Sequence, residues 1–430
     1  MEYFKVIGPT KIKGTFIPNG SKNAALPIIA ACCLTDEPVH LFNVPEIEDV
    51  KVMIEIAKTL GVKIEHPCEH EYIIDAKELK NYKIEPKLGS LIRTAMLFAP
   101  ALLLKTGKAI FPRPGGDSIG RRRIDTHFQA LASLGAQIKV NSSFEIETKK
   151  LKGSYIYLDE ASVTGTENAV LGAVCAEGVS IIYNAACEPH VQDLCNFLNS
   201  IGAQIDGIGT NKITVTGVTS LKGGSWKIIS DHIEVGSIIG LAAITNSEIK
   251  IPDIYPEHYH IIKMFYNKLG VDFKFEHNSI IVPSGQELTA HADIGEGIPV
   301  ITDMIWPGFP TDLTSITVVM ATQVKGTVLI FEKLFDSRLF FTDKLVACGA
   351  KLVLCDPHRV VVSGPTKMNP VTVTSPDIRA GMALLIATML AEGESKIYNI
   401  RQIDRGYEKI DERLNKLGAK IIREDDQCQL

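Results

Sequence analysis

Several familiar signatures are missing from this chain of 430 residues. No apolar run approaches the roughly 20 residues needed to span a bilayer, so no membrane anchor is expected. The opening Met1-Glu2-Tyr3-Phe4-Lys5-Val6 has no secretion-signal pattern. The nine cysteines include no CxxC pair and no even framework. That excludes a disulfide scaffold or a zinc ribbon and fits reduced thiols in a cytoplasmic protein. The eleven histidines form no HExxH, and Glu257-His258-Tyr259-His260, the one stretch that could be drawn as metal ligands, has no partner cluster near it in sequence. Neither a Walker loop ending nor a low-complexity segment occurs. The net charge of −5 shows no basic excess of the kind that binds nucleic acid. What remains is the composition of a soluble enzyme, 45% apolar and 22% charged.

Within that ordinary composition a phrase recurs six times: an apolar residue or Cys, Gly, Ala or Val, a variable residue, then an apolar one. Its glycines are Gly61, Gly135, Gly202, Gly270, Gly349 and Gly418. A helix that ends on a left-handed glycine and turns straight into a strand needs this pattern. A second phrase, a turn followed by an alternating strand, keeps the same beat from Thr35, Lys105, Ala176, Thr245, Val324 and Ala391. Each repeat is therefore read as helix, strand, helix, strand. At about 70 residues a repeat is too small to be a comfortable domain alone, and three per domain in two domains fits the length. The boundary is placed near Ser230-Asp231, giving domains 21–230 and 1–20 plus 231–430, with the first residues packing with the C-terminal half.

Four stretches could carry chemistry. In Asn19-Gly20-Ser21-Lys22-Asn23, a Ser N-cap opens an apolar helix whose start, with Lys22, could bind an anion; spacing alone favours the plainer reading, an ordinary capped helix with a solvated lysine. The segment from Phe111 to Asp125 sets three glycines around Asp117 and follows them with Arg121, Arg122 and Arg123. It is either a solvated basic face or a lid, near 112–123, over a phosphorylated substrate. In Trp306-Pro307-Gly308-Phe309-Pro310-Thr311-Asp312, Asp312 is either a helix cap or a carboxylate held on a stiff corner as a general base. Asp336-Ser337-Arg338, Asp377-Ile378-Arg379 and Asp404-Arg405 are either weak surface pairs or an anion-binding cluster.

These motifs, with Asn184-Ala185-Ala186-Cys187-Glu188-Pro189 and Ile403-Asp404-Arg405-Gly406-Tyr407-Glu408, resemble in order and over essentially the whole chain the enolpyruvyl transferases that act on UDP-N-acetylglucosamine. The Lys-Ser-x-Ser-x-Arg start of the related shikimate-pathway enzymes is absent. The resemblance implies an inside-out α/β barrel of two domains with three repeats each. It implies transfer of the enolpyruvyl group of phosphoenolpyruvate to the sugar 3-hydroxyl by addition and elimination, the first step of peptidoglycan precursor synthesis. Both substrates are small molecules; the reaction needs no metal or organic cofactor, and neither nucleic acid nor membrane is an expected partner.

By position, Lys22, Arg122 and Arg405, with Arg93 close by, resemble the residues that hold phosphoenolpyruvate. Asn23 and Asp312 would meet the sugar, with Asp312 taking the hydroxyl proton. Leu334, Arg338 and Arg379 fall among the C-terminal binding residues. Arg123, Asp125, Thr126, His127, Ser162, Val163 and Thr164 fall where uridine and diphosphate are held, and Asp231 and Glu234 line the hinge. Where many members carry a lid cysteine that the antibiotic fosfomycin alkylates, this chain has Asp117, which implies insensitivity and a carboxyl proton donor to the methylene carbon. Two alternatives remain at this stage: a related transferase with a different hydroxyl acceptor, and an inactive paralogue that only binds the UDP-sugar.

Overall fold

The computed structural model describes residues 2–115, 120 and 123–425. They form two compact units. One takes residues 19–115 and 123–229; the other takes residues 2–18, 120 and 230–425. Each unit has three sheets and its own apolar core.

One sheet topology serves every repeat. In the first, Gly224–Lys227 runs parallel to Val39–Phe42, which pairs antiparallel with Glu71–Asp75, which in turn pairs antiparallel with Lys63–Cys68. Five sheets among the described residues have four strands in this arrangement. The sixth, built from Lys108–Phe111, Phe144–Glu147 and Gln137–Val140, has three, with a single parallel bridge from Lys83 to Ile110 where the fourth strand would lie. A repeat is thus richer than helix, strand, helix, strand. The strand after each of the first five glycines folds back as a hairpin, the one after Gly418 pairs instead with Glu2–Gly8, and in five of the sheets a short parallel strand is added at the edge.

Two kinds of helix fill each repeat. One kind is buried on all sides. His232–Ile244 and Thr314–Ala321 are buried at every residue, and Ile378–Leu390 at all but its last. Helices without a polar face belong inside a core. The other kind is amphipathic. Glu48–Leu60 turns Val50, Met53, Ile54, Ala57 and Leu60 inward and leaves Lys51, Glu55 and Lys58 exposed. The second kind ends at the repeated glycines, all six of which have φ between 74° and 108°. A Cβ there would clash with its own backbone, so the residue type follows from the turn. With helices inside and sheets outside, each unit has the inside-out α/β arrangement.

The chain's first residues complete two sheets of the second unit. Glu2–Gly8 lies between Gly393–Tyr398 and Ile421–Asp425, antiparallel to both, and Lys13–Thr15 runs parallel beside Glu248–Ile251. No helix among the described residues is long and apolar enough to cross a membrane.

Candidate functional site

In the first unit, Lys22 opens the buried helix Lys22–Ala31. Gly20 fixes the approach, because a Cβ there would lie 1.7 Å from the Asn43 carbonyl oxygen. Ser21 stands at the N-cap position, but its hydroxyl makes no capping bond and has no partner. The cap expected from the sequence is therefore a backbone turn only. Lys22 is not a solvated lysine: it is 8% exposed, and its Nζ lies 2.7 Å from Asp49 at the start of the next helix. Asn23 follows it, half-buried.

The same unit gathers most of the residues assigned by resemblance to uridine and diphosphate. Arg123 pairs through Nε with Asp125 at 3.0 Å and through Nη2 with Asp159 at 2.6 Å. Arg93 donates to the Arg123 carbonyl oxygen. Ser162 caps the helix Val163–Val174 by accepting from the Gly165 N–H at 3.2 Å. Val163 and Thr164 form that helix's half-buried first turn. Gly165 in turn lets Thr126 pack close, since a Cβ would sit 2.7 Å from its hydroxyl oxygen.

His127 is fully buried, and both its ring nitrogens are committed. Asn168 Nδ2 lies 2.8 Å from Nδ1 and 3.2 Å from the Met96 carbonyl oxygen. The carbonyl fixes the amide as donor, so Nδ1 accepts and Nε2–H donates to Thr164 Oγ1 at 2.9 Å. Burial, with Arg93 adding, lowers the His127 pKa to about 3. The ring is a neutral strut beneath Thr164, with no ring nitrogen left over for a ligand.

In the second unit, Asp312 sits on the turn Thr311–Leu313 ahead of the buried helix Thr314–Ala321. It caps nothing. Its Oδ1 accepts from Arg338 Nη2 at 3.1 Å, and its Oδ2 from Arg379 Nε and Nη2 at 3.0 and 2.8 Å. Both arginines are buried. Burial is the largest single influence and works against their charge, but Asp312 together with Glu332 and Asp377 around Arg338, and with Tyr407 and Asp231 around Arg379, outweighs it, and both pKa values are raised. Phe335 and Tyr407 lie under the two guanidiniums, at 5.0 and 5.4 Å from the ring centroids.

The arginines do not pair with the aspartates beside them in sequence. Asp377 caps its helix through the N–H groups of Arg379 and Ala380, and Asp404 is taken by Arg423. Arg405 is half-buried, with Nη1 on Gln402 at 2.9 Å. Leu334, 40% exposed, donates its N–H to Glu332. Asp117 and Arg122 lie outside the described residues. Sequence reasoning missed Asp49, Asp159, Asn168 and Glu332. Each is brought in from a different element, and no local motif marks it.

A family model described as EPSP synthase (3-phosphoshikimate 1-carboxyvinyltransferase) matches residues 6–414. This chain belongs to the EPSP synthase family of enolpyruvyl transferases. Among curated enolpyruvyl transferases, it is 49% identical over 421 residues to the UDP-N-acetylglucosamine 1-carboxyvinyltransferase of Treponema denticola, covering 98% of this chain and 99% of that one. The same-named protein of Bradyrhizobium diazoefficiens is 49% identical over 418 residues, covering 97% of each. The one from Bacteroides thetaiotaomicron is 45% identical over 434 residues, covering 98% of this chain and all of its own. Among solved structures, the enolpyruvyl transferase NikO from Streptomyces tendae superposes with a TM-score of 0.87 at 20% identity, covering 98% of both chains. EPSP synthase from Acinetobacter baumannii superposes with a TM-score of 0.78 at 19% identity, covering 99% of this chain and 100% of its own. At such identities the structural likeness speaks for the enolpyruvyl transferase fold and not for an acceptor.

Proposed function

We propose that this protein transfers the enolpyruvyl group of phosphoenolpyruvate to the 3-hydroxyl of UDP-N-acetylglucosamine and releases phosphate, opening peptidoglycan precursor synthesis. The observation that carries the reading is near-half identity, end to end, to proteins bearing that activity as their name.

The reaction adds the sugar oxygen to C2 of phosphoenolpyruvate while C3 gains a proton; phosphate then leaves as C3 gives a proton back. Lys22, Arg122 and Arg405 hold the phosphate and carboxylate, where fixed positive charge stabilises the addition intermediate. Asp312 takes the hydroxyl proton, and Asp117 supplies the one for C3. The three charge-assisted bonds on Asp312 bear on its basicity. A carboxylate so satisfied is a weak base. An incoming dianion competes for Arg338 and Arg379 and leaves a lone pair on Asp312 free for the sugar hydroxyl.

The test is phosphate release from phosphoenolpyruvate with UDP-N-acetylglucosamine, with shikimate 3-phosphate and with neither. Release with the UDP-sugar alone is expected. Turnover with shikimate 3-phosphate, or binding of the UDP-sugar without any turnover, would refute the reading.

A further inference from the structure

Behind Arg338 lies a group that the reaction as described does not use. Glu332 follows the strand Gly326–Phe331 and is fully buried. It accepts the Thr311 hydroxyl at 2.9 Å and the N–H groups of Leu334 and Phe335 at 3.2 and 3.1 Å. Its Oε2 lies 3.6 Å from Arg338 Nε, an ion-pair contact and not a hydrogen bond, since that nitrogen has no hydrogen-bond partner among the described residues. Thr311 is the residue before Asp312, and Arg338 is one of the two arginines on Asp312. A single carboxyl group therefore touches both the chain and the cation that set where the Asp312 oxygens point.

We propose that Glu332 is a positioning residue for Asp312, fixing the Thr311-Asp312 turn through the threonine hydroxyl and one edge of the Arg338 guanidinium. The proposal rests on the reading of Asp312 as the base. Asp303, also buried, faces Glu332, and its Oδ2 has no hydrogen-bond partner. Burial pushes the Glu332 carboxyl up to about 8, with Arg338 opposing the rise and Asp303 adding to it. A proton held on Glu332 lets its carboxyl group donate to the orphaned Asp303 oxygen.

The experiment uses the full chain carrying Glu332→Gln, Thr311→Val, Thr311→Ser and the Glu332→Gln/Thr311→Val double variant, each checked for cooperative unfolding. Misplacing a catalytic group by about 1 Å costs on the order of 10²-fold. Glu332→Gln and Thr311→Val should each lower kcat about tenfold or more with both KM values within about threefold; the double variant should lose little beyond the worse single one, as members of one network do. Thr311→Ser, which keeps the hydroxyl, should restore kcat. Wild-type kcat in a folded Glu332→Gln protein, or strictly multiplying losses in the double variant, overturns the proposal. A second cycle needs no activity: the losses of melting temperature in Glu332→Gln and Asp312→Asn should be non-additive, because both act on Arg338. Additive losses overturn the positioning role even if the substrates have been misassigned, whereas a wild-type protein with coupled losses and no turnover sinks only the functional reading.

Discussion

Arg379 places two nitrogens, Nε and Nη2, on the single oxygen Oδ2 of Asp312, at 3.0 and 2.8 Å. The remaining oxygen is left to Arg338. The proposed base is thus clasped by two buried arginines, and on the proposed reading an anionic substrate that engages them would free it in the same step.

Asp312→Asn should abolish turnover while leaving phosphoenolpyruvate binding no weaker than in the wild type. The amide cannot take a proton at neutral pH, and loss of a general base costs about 10²–10⁴-fold in kcat. It also removes the negative charge that competes for both arginines. Phosphate release and calorimetric titration measure the two effects. Turnover above about a tenth of wild type would place the base elsewhere.

Lys22→Ala and Arg405→Ala should weaken phosphoenolpyruvate far more than UDP-N-acetylglucosamine. Each removes a charge-assisted contact worth about 1.5–3 kcal/mol, roughly 10–100-fold in affinity. Lys22→Ala should also lower the melting temperature, because it leaves the buried Asp49 without the ammonium 2.7 Å away. Calorimetry with each substrate separates the two; equal weakening of both would show a role in the fold.

Stability should depend on His127 in mildly acidic solution. An unfolded histidine titrates near 6.5, whereas the folded ring stays neutral down to about 3. Below pH 6.5 the unfolded chain therefore binds a proton that the folded chain refuses. The stability this depressed value confers is complete above 6.5 and falls toward pH 3, by up to about 1.4 kcal/mol per pH unit. His127→Gln should flatten the difference between urea unfolding curves taken near pH 7 and near pH 5. An unchanged difference would mean that the ring is not sealed in the folded state.

Fosfomycin should not inactivate the wild-type protein, and Asp117→Cys should become sensitive while keeping some activity. The epoxide reacts with a thiolate far more readily than with a carboxylate, and a thiol can carry the proton in its turn. Intact-mass measurement after incubation reads the adduct directly. A covalent adduct on a cysteine of the wild type, with loss of activity, would show that the lid residue is misassigned.

The parts of this architecture that show in the sequence are those a local rule enforces. The six glycines stand out because a helix that turns directly into a strand needs a left-handed residue, and the all-apolar helices because a core needs them. The edge strands do not stand out. Lys63–Cys68 is exposed along almost its whole length, so it has no alternation to read. Val300–Thr302 and Thr372–Thr374 are too short to hold any period. Chemistry divides the same way. Lys22, Asp312 and Arg379 sit in recognisable phrases, but Glu332 is only the residue after an apolar strand, and its meaning comes from Thr311 and Arg338, which the fold carries to it. Ser21 shows the converse: a good cap residue at the cap position that caps nothing.

The antiparallel place of Glu2–Gly8 between Gly393–Tyr398 and Ile421–Asp425 has a bearing on biosynthesis. The strand Glu2–Gly8 finds its partner strands only in segments synthesised far later. At roughly 5–20 residues per second, about 390 intervening residues keep that strand waiting for on the order of 20–80 s. Meanwhile the stretch from 19 to 229 has emerged whole, with every strand of its own three sheets already synthesised. One unit can finish early, and the other must wait for two segments distant in sequence to meet. Its opening strand, with Phe4 and Val6 destined for the core, is the segment most in need of shelter during that interval.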